Sequence, residues 1–150
     1  MAEESVRAGV VGNPENRSLP VFLSRSIEQV RAVLAPFPAI AACYVYGSAQ
    51  QNRLRANSDV DIAVLLERGG ALTLTQRLDL TDELQQIFNR QVDFGILDLK
   101  QLIYASQVIS TGKVIYCRDD NWRMEFSGAV YSRYAQLRYE RRVVEQAYAI

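Results

Sequence analysis

The stretch "YVYGSAQQNRLRANSDVDIAVLLE", Tyr44 to Glu67, decides the reading of this chain. An apolar run ends in Gly47-Ser48, a polar loop follows, and Asp59 and Asp61 stand at the mouth of a second apolar run. Burying a carboxylate without a partner is costly. Two of them opening a strand-like segment therefore demand a reason. Residues two apart in a strand face the same side, roughly 7 Å apart along the chain. Asp59 and Asp61 project together, while Val60 and Ile62 face the other way.

Working outward, "IAACYVY" (40–46) reads as a buried strand and "VDIAVLL" (60–66) as another. A helix fits Ser24 to about Pro36, with Ile27, Val30 and Leu34 on one face, and Pro36 and Pro38 stop it. A second helix fits roughly Leu72 to Asn89, with Leu80, Leu84, Ile87 and Phe88 on one face. "QVDFGILDL" (91–99) is a third strand, followed by a short helix closed by Gly112 and a fourth short strand, "KVIYC". From about Asp120 to Ala149 the period is again helical. Phe126, Val130, Tyr134, Leu137, Val144 and Tyr148 form a stripe broken at Arg141. Two readings of this helix stand: the stripe covers the sheet, or Arg133, Arg138, Arg141, Arg142 and the tyrosines dock a partner, since Arg and Tyr are enriched at interfaces. Residues 1–20 show no sustained period and read as a flexible lead-in. Residues 21–150 read as one α/β domain: a mixed β-sheet flanked by helices, with a long C-terminal helix.

Composition narrows the chemistry. Apolar residues are 49% of the chain, enough for a packed core. The formal net charge is zero, which argues against general nucleic-acid binding. There is no histidine, so histidine-dependent nucleophilic triads, histidine-ligated zinc and imidazole switches are excluded. Cys43 and Cys117 lie within apolar runs and read as buried small hydrophobes of a reducing compartment. No long apolar span or signal-peptide pattern is visible, so the expectation is a cytoplasmic protein without a membrane segment.

If the first two strands pair antiparallel, Gly47-Ser48 comes to lie beside Asp59 and Asp61. If the helix between the second and third strands makes a parallel crossover, Asp93 joins them from the next strand. Three carboxylates that close repel one another. A hard divalent cation removes the problem, since Mg²⁺ favours carboxylate and phosphate oxygens. Glycine admits turn dihedrals that bring successive N–H groups onto an anion, and the Ser48 hydroxyl adds a donor. A phosphate cradle beside an acidic triad suits phosphoryl or nucleotidyl transfer, with Asp93 placed to accept the proton of an acceptor hydroxyl.

Gly47-Ser48, ten residues, then Asp59-Val60-Asp61, with a third acid at Asp93 in "VDFGILD", resembles the signature of the DNA-polymerase-β-like nucleotidyltransferases. Small size and the tail "VISTGKVIYCRDDNWRMEF" before a long helix are similar to the minimal nucleotidyltransferase (MNT) antitoxins of MNT–HEPN toxin–antitoxin systems. The resemblance covers about residues 25 to 150. It implies an adenylyltransferase that uses ATP and Mg²⁺ to place AMP on a tyrosine of a partner HEPN ribonuclease toxin, in a heteromeric complex with it. It also implies nucleotide phosphates at Gly47 and Ser48, and metal at Asp59, Asp61 and Asp93. The chain departs from the family after the serine, where many relatives carry a small residue and then Arg-Gly. Here Ala49-Gln50-Gln51-Asn52-Arg53 stands instead, so a phosphate contact either shifts to Arg53 or Arg55 or is lost. The alternative function is accordingly an antitoxin with a weak site that neutralises its toxin by binding alone.

Overall fold

Alternation along "VDIAVLL" builds both layers of this molecule. The structure, a computed structural model, describes residues 21–47 and 58–149. In chain order the elements are α1 (Val21–Leu34), β1 (Ile40–Tyr46), β2 (Val60–Leu66), α2 (Leu74–Phe88), β3 (Val92–Ile96), α3 (Leu102–Thr111), β4 (Lys113–Cys117) and α4 (Asp120–Tyr148). The strands form one mixed sheet in the order β3-β2-β1-β4. β1 runs antiparallel to β2 and to β4, and β2 runs parallel to β3. The antiparallel pair and the parallel crossover expected from the sequence are both present.

Val60, Ile62 and Val64 of β2 pack with Val30 and Leu34 of α1 and with Leu80, Leu84 and Phe88 of α2. Ala63 and Leu65, one residue out of step, pack with Ala105 and Val108 of α3 and with Phe126 and Val130 of α4. Helices thus cover both faces of the sheet, and Asp61 falls on the α3–α4 face by the same parity. α2 starts at a capping box. The Thr73 hydroxyl accepts from the Gln76 N–H, and the Gln76 side chain accepts from the Thr73 N–H. It ends at Asn89, held left-handed at φ 53°. Among the described residues, no helix is long and apolar enough to cross a membrane.

Gly112 closes α3 as expected, its N–H donating to the Val108 carbonyl, with extended dihedrals. The structure corrects three expectations. β3 stops at Ile96, three residues before Leu99. Cys43 is buried, whereas Cys117, the last residue of edge strand β4, is exposed. The apolar stripe of α4 is buried only at Phe126 and Val130. A helix of 29 residues rises about 43 Å, while a seven-residue strand spans roughly 23 Å. The sheet therefore cannot cover the far half, and Val144 and Tyr148 stand 55% and 83% exposed. Trp122 anchors the near half, donating from Nε1 to the Leu66 carbonyl at 2.8 Å.

Candidate functional site

The strand register sets three side chains in a row. Tyr46 of β1 stands opposite Asp61 of β2, and Asp61 stands opposite Asp93 of β3. All three share the α3–α4 face by parity. The row lies where β1 ends and where β2 and β3 begin, so its far side opens to solvent. Asp61 is half-buried, while Asp59 and Asp93 are exposed.

Gly47 follows β1 with φ +72°, a left-handed conformation that side-chain-bearing residues seldom adopt. The space a Cβ would take there is filled by the Asp61 carboxylate. The turn and the central acid are therefore in direct contact, as the sequence pattern requires. Ser48, the other half of the expected phosphate cradle, lies outside the described residues, as do Ala49 to Arg53, Arg55 and residues 1–20.

Partial burial raises the Asp61 carboxyl above the ordinary carboxylate range, and the charges of Asp93 and Asp59 raise it further. Asp61 thus feels the charge of both other acids across the strand mouth. Among the described residues, no three acidic, Cys or His side chains are already gathered as a cation cage. The donor set nonetheless fits a hard dication. It is all oxygen, it is partly open to water, and its central member carries a repulsion that a cation would cancel. Asp59, Asp61 and Asp93 are the residues that could hold Mg²⁺.

Three side chains at the site carry no motif. The hydroxyls of Tyr46 and Tyr104 lie 3.0 Å apart, with their rings edge-to-face at 5.9 Å and 79°. Burial is the main cause that pushes both phenols up; at Tyr46 the hydrogen bond with Tyr104 adds to it, and the charges of Asp61 and Asp93 act in the same direction on both. Arg77 of α2 reaches round edge strand β3, donating from Nη2 to the Phe94 carbonyl at 2.9 Å, with its guanidinium 5.8 Å from the Phe94 ring centroid. Tyr46 could have been read from its place directly before Gly47 and its parity with Asp61 across an antiparallel pair. Tyr104 and Arg77 arrive from helices, and no period marks them.

Two hollows flank the row. One, of about 510 Å³, is lined by Tyr46, Arg77, Asp93, Gly95 and Tyr104 among others. The other, also about 510 Å³, is lined by Asp59 together with Gln85, Gln86, Asn89, Arg90 and Gln91.

Comparison with known proteins agrees with this geometry. Residues 28–121, which include Gly47 and all three aspartates, match the model of the family described as Polymerase beta, Nucleotidyltransferase. A protein adenylyltransferase, MntA, of Shewanella oneidensis is 28% identical over 107 residues, covering 71% of this chain and 75% of that protein. A crystal structure of a toxin–antitoxin with AMP-PNP contains a chain 25% identical, at a TM-score of 0.66, covering 81% of this chain and 96% of that one. In a complex of a tri-AMPylated Shewanella oneidensis HEPN toxin with an MNT antitoxin, the fold matches at a TM-score of 0.62 and 22% identity, over 83% of this chain and 96% of that one. With the left-handed glycine turn set against the central acid and the third acid in register beside it, the chain belongs to the Polymerase beta nucleotidyltransferase family.

Proposed function

We propose that this chain is an antitoxin that transfers AMP from ATP to a tyrosine hydroxyl of a partner HEPN ribonuclease toxin and so inactivates it, acting in the cytoplasm where ATP is supplied. The observation that carries the reading is the register Tyr46–Asp61–Asp93, with the charges of Asp93 and Asp59 both acting on Asp61. The similarity to a protein adenylyltransferase and to a toxin–antitoxin chain bound to AMP-PNP supports it.

The Gly47-Ser48 turn directs backbone N–H groups, and the serine hydroxyl, at nucleotide phosphates. Asp59, Asp61 and Asp93 would hold Mg²⁺, which when bound neutralises phosphate charge and orients the reacting oxygens. Asp93, at the outer end of the row, takes the proton from the attacking phenol. The phenol oxygen bonds to the α-phosphorus, the bond to the β-phosphate bridge breaks, and pyrophosphate leaves. Incubating the protein with labelled ATP, Mg²⁺ and the HEPN protein encoded beside it should label a tyrosine of that protein. An unlabelled toxin in an intact complex would overturn the reading.

A specific observation favours contact as well as chemistry. The far half of α4 exposes Tyr139, Val143, Val144 and Tyr148, and a shallow hollow of about 460 Å³ lies between Leu137, Arg141 and Val144. Large apolar side chains with interleaved arginines suit a protein interface. We assign toxin docking to this half. Val144→Asp should leave Tm within about 1 °C, since Val144 touches no core, and weaken toxin binding at least 10-fold by titration calorimetry. Unchanged affinity would place docking elsewhere. An antitoxin that works by binding alone would still protect cells when the three aspartates are replaced, and would fail when α4 is altered.

A further inference from the structure

The hollow beside Asp93 is walled mostly by β3 and the start of α3, with Tyr46 its one residue from β1; neither Gly47 nor Asp59 lines it. In-line displacement needs the attacking and leaving oxygens on opposite sides of the phosphorus. With the phosphates held at the Gly47 end of the row, the acceptor has to enter from the Asp93 end.

The walls of this hollow suit a particular acceptor. The Tyr46–Tyr104 pair gives an aromatic side against which another ring can stack edge-to-face. Gly95 follows Asp93 by two residues on β3 and shares its face, and the space its Cβ would take is filled by the Tyr104 hydroxyl. The Tyr104 ring is thus drawn down onto the strand, and the hollow stays open above Asp93. Because β3 is an edge strand, the Phe94 carbonyl points away from the sheet, and Arg77 covers it with one N–H. That bond and the Phe94 ring fix the guanidinium at the rim. Among the described residues Arg77 pairs with no carboxylate, although Asp93 and Asp98 line the same hollow. A guanidinium held by one donor, with its remaining fork facing a cavity, is equipped to bind an oxyanion.

We propose that the hollow bounded by Tyr46, Tyr104, Gly95 and Arg77 is the acceptor subsite, and that it selects a tyrosine flanked by an anionic group, which Arg77 clamps while the phenol meets Asp93. This rests on the reading of the chain as a tyrosine adenylyltransferase. The anion has two sources of one chemistry: a carboxylate of the toxin beside the tyrosine, or the phosphate of a nucleotide already attached to a neighbouring residue of the toxin. Arg77 is a specificity residue that touches the acceptor and not the nucleotide.

The test has two parts. In steady-state transfer to the purified toxin, Arg77→Ala should raise the acceptor KM at least 10-fold and leave the ATP KM unchanged, Arg77→Lys should recover part of the loss, and Arg77→Glu should be worse than Arg77→Ala. A defect in the first transfer marks the carboxylate, and a defect confined to later transfers onto singly modified toxin marks the phosphate. In a binding measurement that needs no catalysis, the blocked dipeptides N-acetyl-glutamyl-tyrosine amide and N-acetyl-phosphoseryl-tyrosine amide should shift the amide resonances of Gly95 and Tyr104, while N-acetyl-lysyl-tyrosine amide should not, and Arg77→Ala should abolish the shifts. An unchanged acceptor KM, an equal rise in the ATP KM, or shifts that survive in Arg77→Ala would overturn the subsite. If the dipeptides bind as described and no toxin is ever labelled, the transfer reading falls and the anion-selective pocket stands.

Discussion

Asp61→Asn should abolish transfer and at the same time make the protein harder to unfold. Asparagine keeps the size and one oxygen of the side chain but removes the charge. Loss of one preorganised charge-stabilising group lowers transfer by about 10²–10³-fold, and loss of the central member of three acids that would hold Mg²⁺ belongs at the upper end of that range. The stability effect has the opposite sign to a usual site mutation. In the folded protein the Asp61 carboxyl is raised, first by burial and then by Asp93 and Asp59. A carboxylate whose folded pKa lies above its unfolded value destabilises the fold wherever it is ionised. That penalty is present at neutral pH and disappears as pH falls through the raised folded value, because the folded state takes up a proton before the unfolded state does. The site is partly open to water, so the gain is screened, and Tm of Asp61→Asn should rise by about 1–3 °C at neutral pH. The difference from the unsubstituted protein should narrow as the solution is acidified. Millimolar Mg²⁺ should raise Tm of the unsubstituted protein, since a cation bound only by the folded state stabilises it, and should have little effect on Asp61→Asn. Thermal melts at several pH values, with and without Mg²⁺, check all of this. A lower Tm in the variant would mean that the carboxylate is held by favourable partners and is not straining against its neighbours.

The same arithmetic explains which parts of the site could be read in advance. Strand parity is a period of two, so Asp59 and Asp61 had to face away from Val60 and Ile62, and the structure places Val60, Ile62 and Val64 in one core and Ala63 and Leu65 in the other. The parallel crossover through α2 then brings Asp93 opposite Asp61. Side chains that reach a site from helices follow no such rule. Tyr104 meets Tyr46 because of how α3 lies on the sheet, and Arg77 reaches the Phe94 carbonyl because β3 is an edge. Both depend on packing between elements distant in sequence. The far half of α4 carries the apolar period of a buried helix, but a period reports a face and not what covers it. Here the sheet ends first, and the face remains for another molecule. Cys117 illustrates the same limit: it sits in an apolar run, yet as the last residue of an edge strand, flanked by a strand on one side alone, it is left exposed.

Gly47→Ala should damage both fold and chemistry, and a control within the same chain separates the causes. Gly47 has φ +72° and Gly69 has φ +69°, so an alanine at either position bears nearly the same left-handed strain. That strain costs about 1–2 kcal/mol. The surroundings differ. A Cβ at Gly69 meets nothing within 4 Å, whereas a Cβ at Gly47 falls on the Asp61 carboxylate. Gly69→Ala should therefore lose only the strain and keep full transfer activity. Gly47→Ala should lose a further amount of about 1–2 kcal/mol as the carboxylate is forced aside, and transfer should fall at least about 10²-fold, because a small misplacement of a catalytic group is enough to do so. The collision can be isolated by a double-mutant cycle in chemical denaturation. With Asp61→Ala in place the carboxylate is gone, and Gly47→Ala should then cost no more than Gly69→Ala, leaving a coupling of at least about 1 kcal/mol between positions 47 and 61. Additive costs at the two positions would mean that the turn and the central acid are neighbours without being in contact, and that Gly47 serves only the path of the backbone.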